Sequence, residues 1–321
     1  MFDRETLDEA AALVHRHMAP TPQYAWPLLV EVAGCEVWVK HENHTPTGAF
    51  KVRGGLTYLD ALIRDGGCAG IATATRGNHG QSIPFAARHH GMPVRVWVPE
   101  GNSVEKNAAM QAWGAELVVH GHDFEAARHN CIRVAEEEGL HLIPPFHEHL
   151  VRGVSTYALE LFSAVPDLDT VYVPIGMGSG ICSLITVRDL LGLKAEIVGV
   201  VADGADAYAL SFEAGHVVET NRAHTFADGM ACRVPMAEPF EIIRRGAERI
   251  LRVSDDETAA AVRLLYRTTH NVAEGAGAAP LAGLMQERAA MANKRVAVIL
   301  CGGNIDTAWF AQILAGETPT P

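Results

Sequence analysis

One short segment of the chain places a single lysine where it could act as a nucleophile. Residues 47–54 read Thr-Gly-Ala-Phe-Lys-Val-Arg-Gly, so Lys51 lies in a turn of small residues ahead of an apolar stretch suited to a helix. The chain has only five lysines against twenty-one arginines. A lysine amine can form a Schiff base with an aldehyde, whereas a guanidinium cannot. The segment therefore predicts covalent chemistry at Lys51.

Three further segments supply groups that such a site would need. Residues 176–180 read Gly-Met-Gly-Ser-Gly after an apolar run, and backbone N–H groups at a strand-to-helix turn bind phosphate. Residues 75–80 read Thr-Arg-Gly-Asn-His-Gly, and residues 301–304 read Cys-Gly-Gly-Asn. A single glycine-rich turn is more often only a tight turn, so the prediction depends on all four segments together.

Together these segments resemble the serine/threonine dehydratase group of the tryptophan-synthase-β-like (fold type II) enzymes that use pyridoxal 5'-phosphate. The resemblance runs from about Thr21 to about Asp306, and it implies that the cofactor is bound through Lys51. Asn78 should contact the 3′-oxygen of the pyridine ring, and Cys301 should face the pyridine nitrogen. The other residues counted as cofactor-binding are Phe50, Gly176, Met177, Gly178, Ser179 and Gly180. Phe50 is expected to pack, not to react, Ser179 could add a hydroxyl donor to the phosphate, and Met177 is expected to point away into packing.

The same resemblance assigns the substrate to the loop that contains Asn78. The backbone and hydroxyl groups of residues 75–79 should hold the α-carboxylate, and the substrate-binding residues are predicted to be Thr75, Arg76, Gly77, His79 and Arg152. A histidine at a helix start is more often a structural residue than a catalytic base, so His79 is expected to be structural. Racemases of the group have a serine base at the position of Arg76. Because arginine stays protonated, racemisation is disfavoured and Arg76 could pair with an anionic substrate group.

The implied reaction is a dehydratase (ammonia-lyase) reaction that converts a β-hydroxy-α-amino acid to a 2-oxo acid and ammonia. Serine and threonine are the default substrates. Arg76 and the segment with His147, His149 and Arg152 keep 3-hydroxyaspartate, phenylserine and a hydroxyectoine breakdown intermediate open. Racemisation or β-replacement on the same fold, and a catalytically silent binding protein, are the alternatives. No metal site is expected, because Val201 and Ala207 align with the carboxylates that hold a cation in relatives.

The bulk composition limits the partners of this protein. The chain has 321 residues, of which 48% are hydrophobic and 20% are charged, a composition typical of a soluble globular protein. Its net charge of −12 argues against binding to nucleic acid. The charged amino terminus does not resemble a signal peptide, no apolar run reaches the length of a membrane span, and six cysteines are scattered without a Cys-x-x-Cys pair. We expect a cytoplasmic homodimer acting on a small amino acid. Because the chain ends soon after the last motif, we also expect a catabolic enzyme without a carboxy-terminal regulatory domain.

Short apolar runs alternate with amphipathic segments along the chain. The predicted strands are 36–40, 70–73, 94–98, 116–119, 170–173, 196–201 and 295–300. This alternation predicts an α/β fold of parallel sheets covered by helices. The resemblance implies two such domains with the cofactor between them: a large domain of residues 1–49 and 146–321, and a small domain of residues 50–145.

Overall fold

The computed structural model describes residues 1–320, which form two sheets covered by helices. The six-stranded sheet has the order β1-β2-β10-β7-β8-β9, and the four-stranded sheet has the order β5-β4-β3-β6. Every pairing between these strands is parallel except the one between β1 and β2. The strands are β1 Gln23–Ala25, β2 Glu36–His41, β3 Ile71–Ala74, β4 Val94–Val98, β5 Ala115–Val119, β6 His141–Leu142, β7 Thr170–Pro174, β8 Glu196–Ala202, β9 Arg249–Val253 and β10 Arg295–Leu300.

Helices cover both sheets, as crossover connections between parallel strands require. The helices are α1 Arg4–His15, α2 Pro27–Ala33, α3 Lys51–Arg64, α4 Asn78–Ala87, α5 Val104–Ala112, α6 Phe124–Glu138, α7 Glu148–Ala164, α8 Ser179–Leu190, α9 Ala207–Ala214, α10 Ala237–Gly246, α11 Asp255–Thr269, α12 Gly275–Glu287 and α13 Thr307–Leu314. None of them, within residues 1–320, is both long and apolar enough to cross a bilayer.

All seven predicted strands are present, and the predicted α/β alternation is confirmed. The sequence prediction missed β1, β6 and β9. Two of these have only two or three residues, which is too short for a periodic pattern. The third, β9, has the sequence Arg-Ile-Leu-Arg-Val at a sheet edge, so its arginines do not give the strict polar–apolar alternation typical of a strand. The limits of the small domain at residues 50 and 145 stay a prediction.

Helix α3 is wedged between two neighbours by close backbone contacts. A Cβ atom on Gly153 of α7 would lie 2.1 Å from the carbonyl oxygen of Arg53 in α3. On the opposite side of the same turn, a Cβ on Gly55 would lie 2.8 Å from the carbonyl oxygen of Ser82 in α4. Glycine at these positions lets α3 approach both helices more closely than any other residue would allow.

A buried ion-pair network also anchors α3. The guanidinium of Arg53 has no exposed side-chain surface and binds both Glu42 and Glu160, with Nε 2.7 Å from one carboxylate and Nη1 2.7 Å from the other. Lys40 adds a second cation, with its Nζ 2.6 Å from Oε2 of Glu160. Burial alone would raise the pKa of Glu160, but Arg53 and Lys40 outweigh burial and lower it to about 2. The network ties the helix that begins at Lys51 to β2 and α7.

Candidate active site

Lys51 is the first residue of α3, and the end of the last strand fixes its position. The N–H of Phe50 donates to the carbonyl of Cys301 at 2.9 Å, and Ala49 forms an antiparallel bridge with Gly302. Gly48 turns the chain into this bridge with a φ of +69°, a conformation that favours glycine. Two of the four motifs, at residues 47–54 and 301–304, are therefore in direct contact.

The Lys51 amine lies in a desolvated environment. Burial lowers its pKa to about 8, although Cys301 and Glu274 oppose this shift. Its Nζ lies 4.8 Å from the centroid of the Phe50 ring, which in turn meets Tyr157 edge to face. A pKa near 8 leaves a useful fraction of the amine neutral at physiological pH, which a nucleophile or base requires.

The turn at residues 176–180 lies directly beside Lys51. The Nζ of Lys51 donates to Oγ of Ser179 at 3.4 Å, and Ser179 is the first residue of α8. Gly178 has a φ of +99°, and a Cβ on Gly176 would lie 2.1 Å from the carbonyl oxygen of Gly229. The turn therefore exposes backbone N–H groups at a helix amino terminus, which is the arrangement that binds a phosphate.

The other two residues of this turn, Met177 and Gly180, accept hydrogen bonds from buried tyrosines of the main core cluster through their carbonyl groups. Met177 is partly buried against the main core cluster, and its carbonyl accepts from the hydroxyl of Tyr208 at 3.3 Å. The carbonyl of Gly180 accepts from the hydroxyl of Tyr157 at 2.9 Å. Both hydrogen bonds engage carbonyl groups of the turn, so its N–H groups remain available to a ligand.

Asn78 begins α4 and takes part in a chain of side-chain hydrogen bonds. Its Nδ2 donates to Oε1 of Glu274 at 2.7 Å, and its Oδ1 accepts from Nδ2 of Asn304 at 2.8 Å. Asn304 also donates to the carbonyl oxygen of Thr47 at 2.9 Å. This chain links the segment that contains Lys51, the loop at residues 75–80 and the end of the last strand. Neither Glu274 nor Asn304 was predicted from the sequence to take part in the site.

Glu274 is a buried carboxyl group with an unusual electrostatic environment. Burial raises the pKa of Glu274 to about 7, and the negative charge of Asp228 adds to this increase. The positive charge of Lys106 acts in the opposite direction and lowers the pKa. Oε2 of Glu274 is buried and has no hydrogen-bond partner among the described residues. Lys106 of α5 forms an ion pair with Asp228. Burial would lower the pKa of Lys106, but Asp228 and Glu274 outweigh burial and raise it.

The loop predicted to bind the substrate carboxylate is formed at the start of α4. The hydroxyl of Thr75 accepts from the N–H of Gly77 at 3.1 Å. Gly77 lies against Lys106, because a Cβ there would be 3.8 Å from Nζ of that lysine. His79 is buried, and burial together with Lys51 lowers its pKa to about 3, so its imidazole is neutral at physiological pH. A cation and a helix amino terminus therefore face the same loop.

Two arginines of the predicted substrate site occupy different surroundings. Arg76 is exposed at the loop and forms no ion pair within residues 1–320. Arg152 lies on α7 and donates to Glu9 of α1 at 3.3 Å. His147 caps the amino terminus of α7, where its Nδ1 accepts from the N–H of His149. Arg76 precedes Gly77 and Asn78 in the loop, and the substrate roles of Arg76 and Arg152 both stay predictions.

Cys301 lies at the end of β10 among the groups that surround Lys51. Its side chain is buried, and burial, with a further contribution from Glu274, raises the pKa of the thiol far above its usual value. The thiol is therefore neutral and can act only as a weak donor or acceptor. That behaviour fits the predicted position beside the pyridine nitrogen.

The positions aligned with the cation site of relatives are apolar. Val201 and Ala207 are both buried, and nearby Asp206 is bound by Arg222 and Arg252, each at 2.9 Å. In the part of the chain that the structure describes, no group of three or more metal-ligating side chains is close enough to hold an ion. The absence of a metal requirement stays a prediction for experiment.

The residues around Lys51 fit pyridoxal phosphate. A Cβ on Gly176 would lie 2.1 Å from the Gly229 carbonyl oxygen and one on Gly178 would lie 2.8 Å from Cβ of Pro239, so this turn of backbone N–H groups requires glycine at both positions. The hydroxyl of Ser179, the first residue of α8, lies 3.4 Å from the lysine amine. One buried oxygen of Glu274 and Nε2 of His79 lack partners within residues 1–320. Such unpartnered buried polar atoms indicate a ligand that completes the site.

Comparison with known proteins gives matches over nearly the whole chain. Residues 14–302 match the family model described as pyridoxal-phosphate dependent enzyme. The chain is 35% identical to an L-threonine ammonia-lyase of Geobacter sulfurreducens over 88% of this chain and 71% of that protein. It is 33% identical to a phenylserine dehydratase of Ralstonia pickettii over 98% of both chains. Among solved structures, the processed form of threonine deaminase isoform 2 from Solanum lycopersicum matches with a TM-score of 0.90 and 26% identity, over 98% of this chain and 95% of that one.

Proposed function

This chain belongs to the family of pyridoxal-phosphate dependent enzymes, and we propose that it is a dehydratase of β-hydroxy-α-amino acids. The family match confirms the predicted fold class and the predicted cofactor. The proposed reaction is a carbon–oxygen lyase reaction that releases a 2-oxo acid and ammonia. Relatives named for threonine, phenylserine and L-threo-3-hydroxyaspartate support this class of substrate.

One observation carries the proposal, namely the environment of Lys51. Its amine has a pKa lowered to about 8 by burial and lies 3.4 Å from Ser179 at the amino terminus of α8. A lysine in this position can bind the cofactor aldehyde and later act as a general base. When bound, pyridoxal phosphate supplies the electron sink for removal of the α-proton and the β-hydroxyl group.

The other side chains would orient the reactants. The backbone N–H groups at the start of α8 would hold the phosphate, and those at the start of α4 would hold the α-carboxylate of the substrate. Neutral Lys51 would take the α-proton at its Nζ, and Asn78 would contact the ring oxygen. The neutral Cys301 thiol would contact the pyridine nitrogen, and Phe50 would pack beside Lys51.

The choice of substrate depends on the exposed loop around Arg76. Serine or threonine is the proposed substrate, and 3-hydroxyaspartate or phenylserine is the alternative. Arg76 favours an anionic substrate group, since its guanidinium is exposed and unpaired within residues 1–320. It also argues against racemisation, because a guanidinium cannot accept the proton that a second base must exchange. A cytoplasmic homodimer is the proposed biological form.

The test is release of keto acid combined with trapping of the cofactor. Lys51→Ala should reduce turnover by about 10³-fold or more, because the substitution removes both the covalent partner and the base. Borohydride should attach the cofactor to a peptide that contains Lys51. Lys194→Ala is the matched control, because Lys194 is exposed and should be replaceable.

Trapping on Lys40 or Lys106 would contradict the assignment of Lys51. The substrate question requires a panel of serine, threonine, 3-hydroxyaspartate and phenylserine, each assayed for keto acid and for change of optical rotation. Rotation without keto acid would indicate a racemase. A protein that binds the cofactor but converts none of the panel would favour a catalytically silent binding protein.

A further inference from the structure

We propose that Asn304 and Glu274 are positioning residues that fix the orientation of the Asn78 amide. In this orientation Asn78 presents an N–H donor, and not its carbonyl oxygen, to the ring oxygen of the cofactor. The inference rests on the proposed function, because it takes Asn78 as the group that contacts this oxygen. It assigns a role to two residues that lie outside the motif of Asn78 itself.

The orientation of the Asn304 amide is set by a backbone carbonyl group, which can only accept a hydrogen bond. The carbonyl oxygen of Thr47 lies 2.9 Å from the amide nitrogen of Asn304. Because a carbonyl has no proton to give, the nitrogen end of the Asn304 amide must face it. The other orientation would bring two oxygens together. Thr47 therefore determines which end of Asn304 is directed into the site.

The next two hydrogen bonds pass this orientation to Asn78. The same nitrogen of Asn304 lies 2.8 Å from Oδ1 of Asn78, so Asn78 must accept there. Its own nitrogen then lies at the other end, 2.7 Å from Oε1 of Glu274. A side-chain amide nitrogen carries two protons, and Glu274 takes one of them. The second N–H has no partner among residues 1–320 and is left for the cofactor.

Two glycines make this arrangement possible. A Cβ atom on Gly48 would lie 2.5 Å from Oδ1 of Asn304, and a Cβ on Gly302 would lie 2.4 Å from Oε1 of Glu274. Both distances are too short for real contacts, so any other residue would displace Asn304 or Glu274. The backbone on either side of the Ala49 bridge is thus shaped around these two side chains.

The orientation matters because it controls the protonation of the ring oxygen. A hydrogen-bond donor stabilises the deprotonated, negative form of an oxygen, whereas an acceptor stabilises the protonated form. The deprotonated form of the lysine-bound cofactor has the longer conjugated system and absorbs at longer wavelength than the protonated form, so the two forms give a long-wavelength and a short-wavelength band. The absorption spectrum of the holoenzyme without substrate therefore reports which end of Asn78 faces the cofactor.

Asn304→Asp is the variant that reverses the chain of hydrogen bonds. An aspartate carboxylate can only accept, so Asn78 should turn its nitrogen toward residue 304 and its oxygen toward the cofactor and Glu274. Glu274, whose pKa is raised to about 7 by burial, can take up the proton with which it then donates to that oxygen. We expect the long-wavelength band to lose most of its intensity to the short-wavelength band. The cofactor should also bind about tenfold more weakly. Asn221→Asp makes the same chemical change at an exposed position and should leave the spectrum unaltered.

Two substitutions of Glu274 provide an independent test if Asn304→Asp does not fold. Glu274→Gln keeps a carbonyl oxygen that can accept from Asn78, so the long-wavelength band should remain. Glu274→Leu removes the acceptor, and the short-wavelength band should grow because the amide is no longer held at that end. A simple loss of packing would not separate the glutamine from the leucine variant in this way.

The long-wavelength band at wild-type intensity in folded Asn304→Asp or Glu274→Leu holoenzyme would overturn the inference. Equal spectra for the glutamine and leucine variants would do the same. A wild-type protein that forms no lysine-bound cofactor band would instead refute the proposed function, and this inference with it. The two failures are distinguishable. Failure of this inference leaves the wild-type spectrum normal and is seen only in the variants, whereas failure of the proposed function is seen in the wild-type protein itself.

Discussion

Arg53→Met should destabilise the protein strongly, although Arg53 lies outside the proposed catalytic groups. The side chain of Arg53 is fully buried and bridges two carboxylates, Glu42 and Glu160. Methionine fills a similar volume but leaves Glu42 with no cationic partner among the described residues. Removal of one partner from a buried ion pair costs about 3–5 kcal/mol, because the remaining charge stays desolvated. The large loss comes from the carboxylates left behind, more than from the arginine removed.

The expected change in melting temperature follows from the size of the protein. An unfolding entropy of about 2.1 cal/mol/K per residue gives about 0.7 kcal/mol per degree for a chain of this length. A loss of 3–5 kcal/mol therefore corresponds to a decrease in Tm of about 4–7 °C. Scanning calorimetry of wild type and variant at equal cofactor saturation measures this difference. Arg64→Met is the control in the same helix, because Arg64 is 63% exposed in its pair with Asp60 and should change Tm by about 1 °C or less.

The pH dependence adds a second prediction for the same variant. The pKa of Glu160 is lowered from 4.5 to about 2, chiefly because Arg53 outweighs the opposite effect of burial. A lowered carboxyl pKa contributes stability above pH 4.5, and this contribution is lost as the pH falls toward 2. The Tm difference between wild type and Arg53→Met should therefore be largest at neutral pH and shrink below about pH 4.5.

A double substitution tests whether the unpaired carboxylate of Glu42 causes the loss of stability in Arg53→Met. In Arg53→Met combined with Glu42→Gln, the carboxylate that has lost its cationic partner is gone, while Glu160 keeps Lys40, so part of the lost stability should return. Equal Tm values for Arg53→Met and Arg64→Met would refute the reasoning. So would a double variant less stable than Arg53→Met alone, because the carboxylate would then stabilise the fold without its partner.

The remaining predictions concern the site itself. Gly176→Ala should weaken cofactor binding by about tenfold or more in a spectral titration, because its Cβ would lie 2.1 Å from the Gly229 carbonyl oxygen. An affinity equal to that of the wild type would contradict the phosphate-binding role of the turn. Arg76→Ala should lower kcat/KM for 3-hydroxyaspartate about fivefold more than for serine, because an exposed ion pair contributes an effect of about this size. Equal losses for the two substrates would remove the argument for an acidic substrate. A chelator should leave activity and Tm unchanged, and a loss of about half the activity that a divalent ion restores would show a metal site.

The groups that stand in sequence motifs could be predicted from the chain alone. Lys51, Asn78, Ser179 and Cys301 each lie beside glycines at the end of a strand or the start of a helix. Such positions share one edge of parallel sheets, so their convergence follows from topology. The fold class was predictable for the same reason, since strands and helices alternate with clear periodicity.

The residues that hold these groups in place could not be predicted. Glu274 is separated from Asn78 by 196 residues, and it stands in the sequence as a single acidic residue before an alanine- and glycine-rich helix. Asn304 was visible in the Cys-Gly-Gly-Asn motif, but its partner Thr47 is 257 residues away. Arg53 and Lys106 look like ordinary helix-surface charges. Their burial depends on which helices face them, and a local pattern does not contain that information.

The close packing on both flanks of α3 has a consequence for the position of the reactive amine. Gly153 brings α3 against α7, which belongs to the layer of the six-stranded sheet, while Gly55 brings it against α4, which covers the four-stranded sheet. Both approaches leave no room for a Cβ atom, so α3 cannot slide along either neighbour without a backbone clash. Because Lys51 is the first residue of α3, the helix holds its amine in register with both sheets at once.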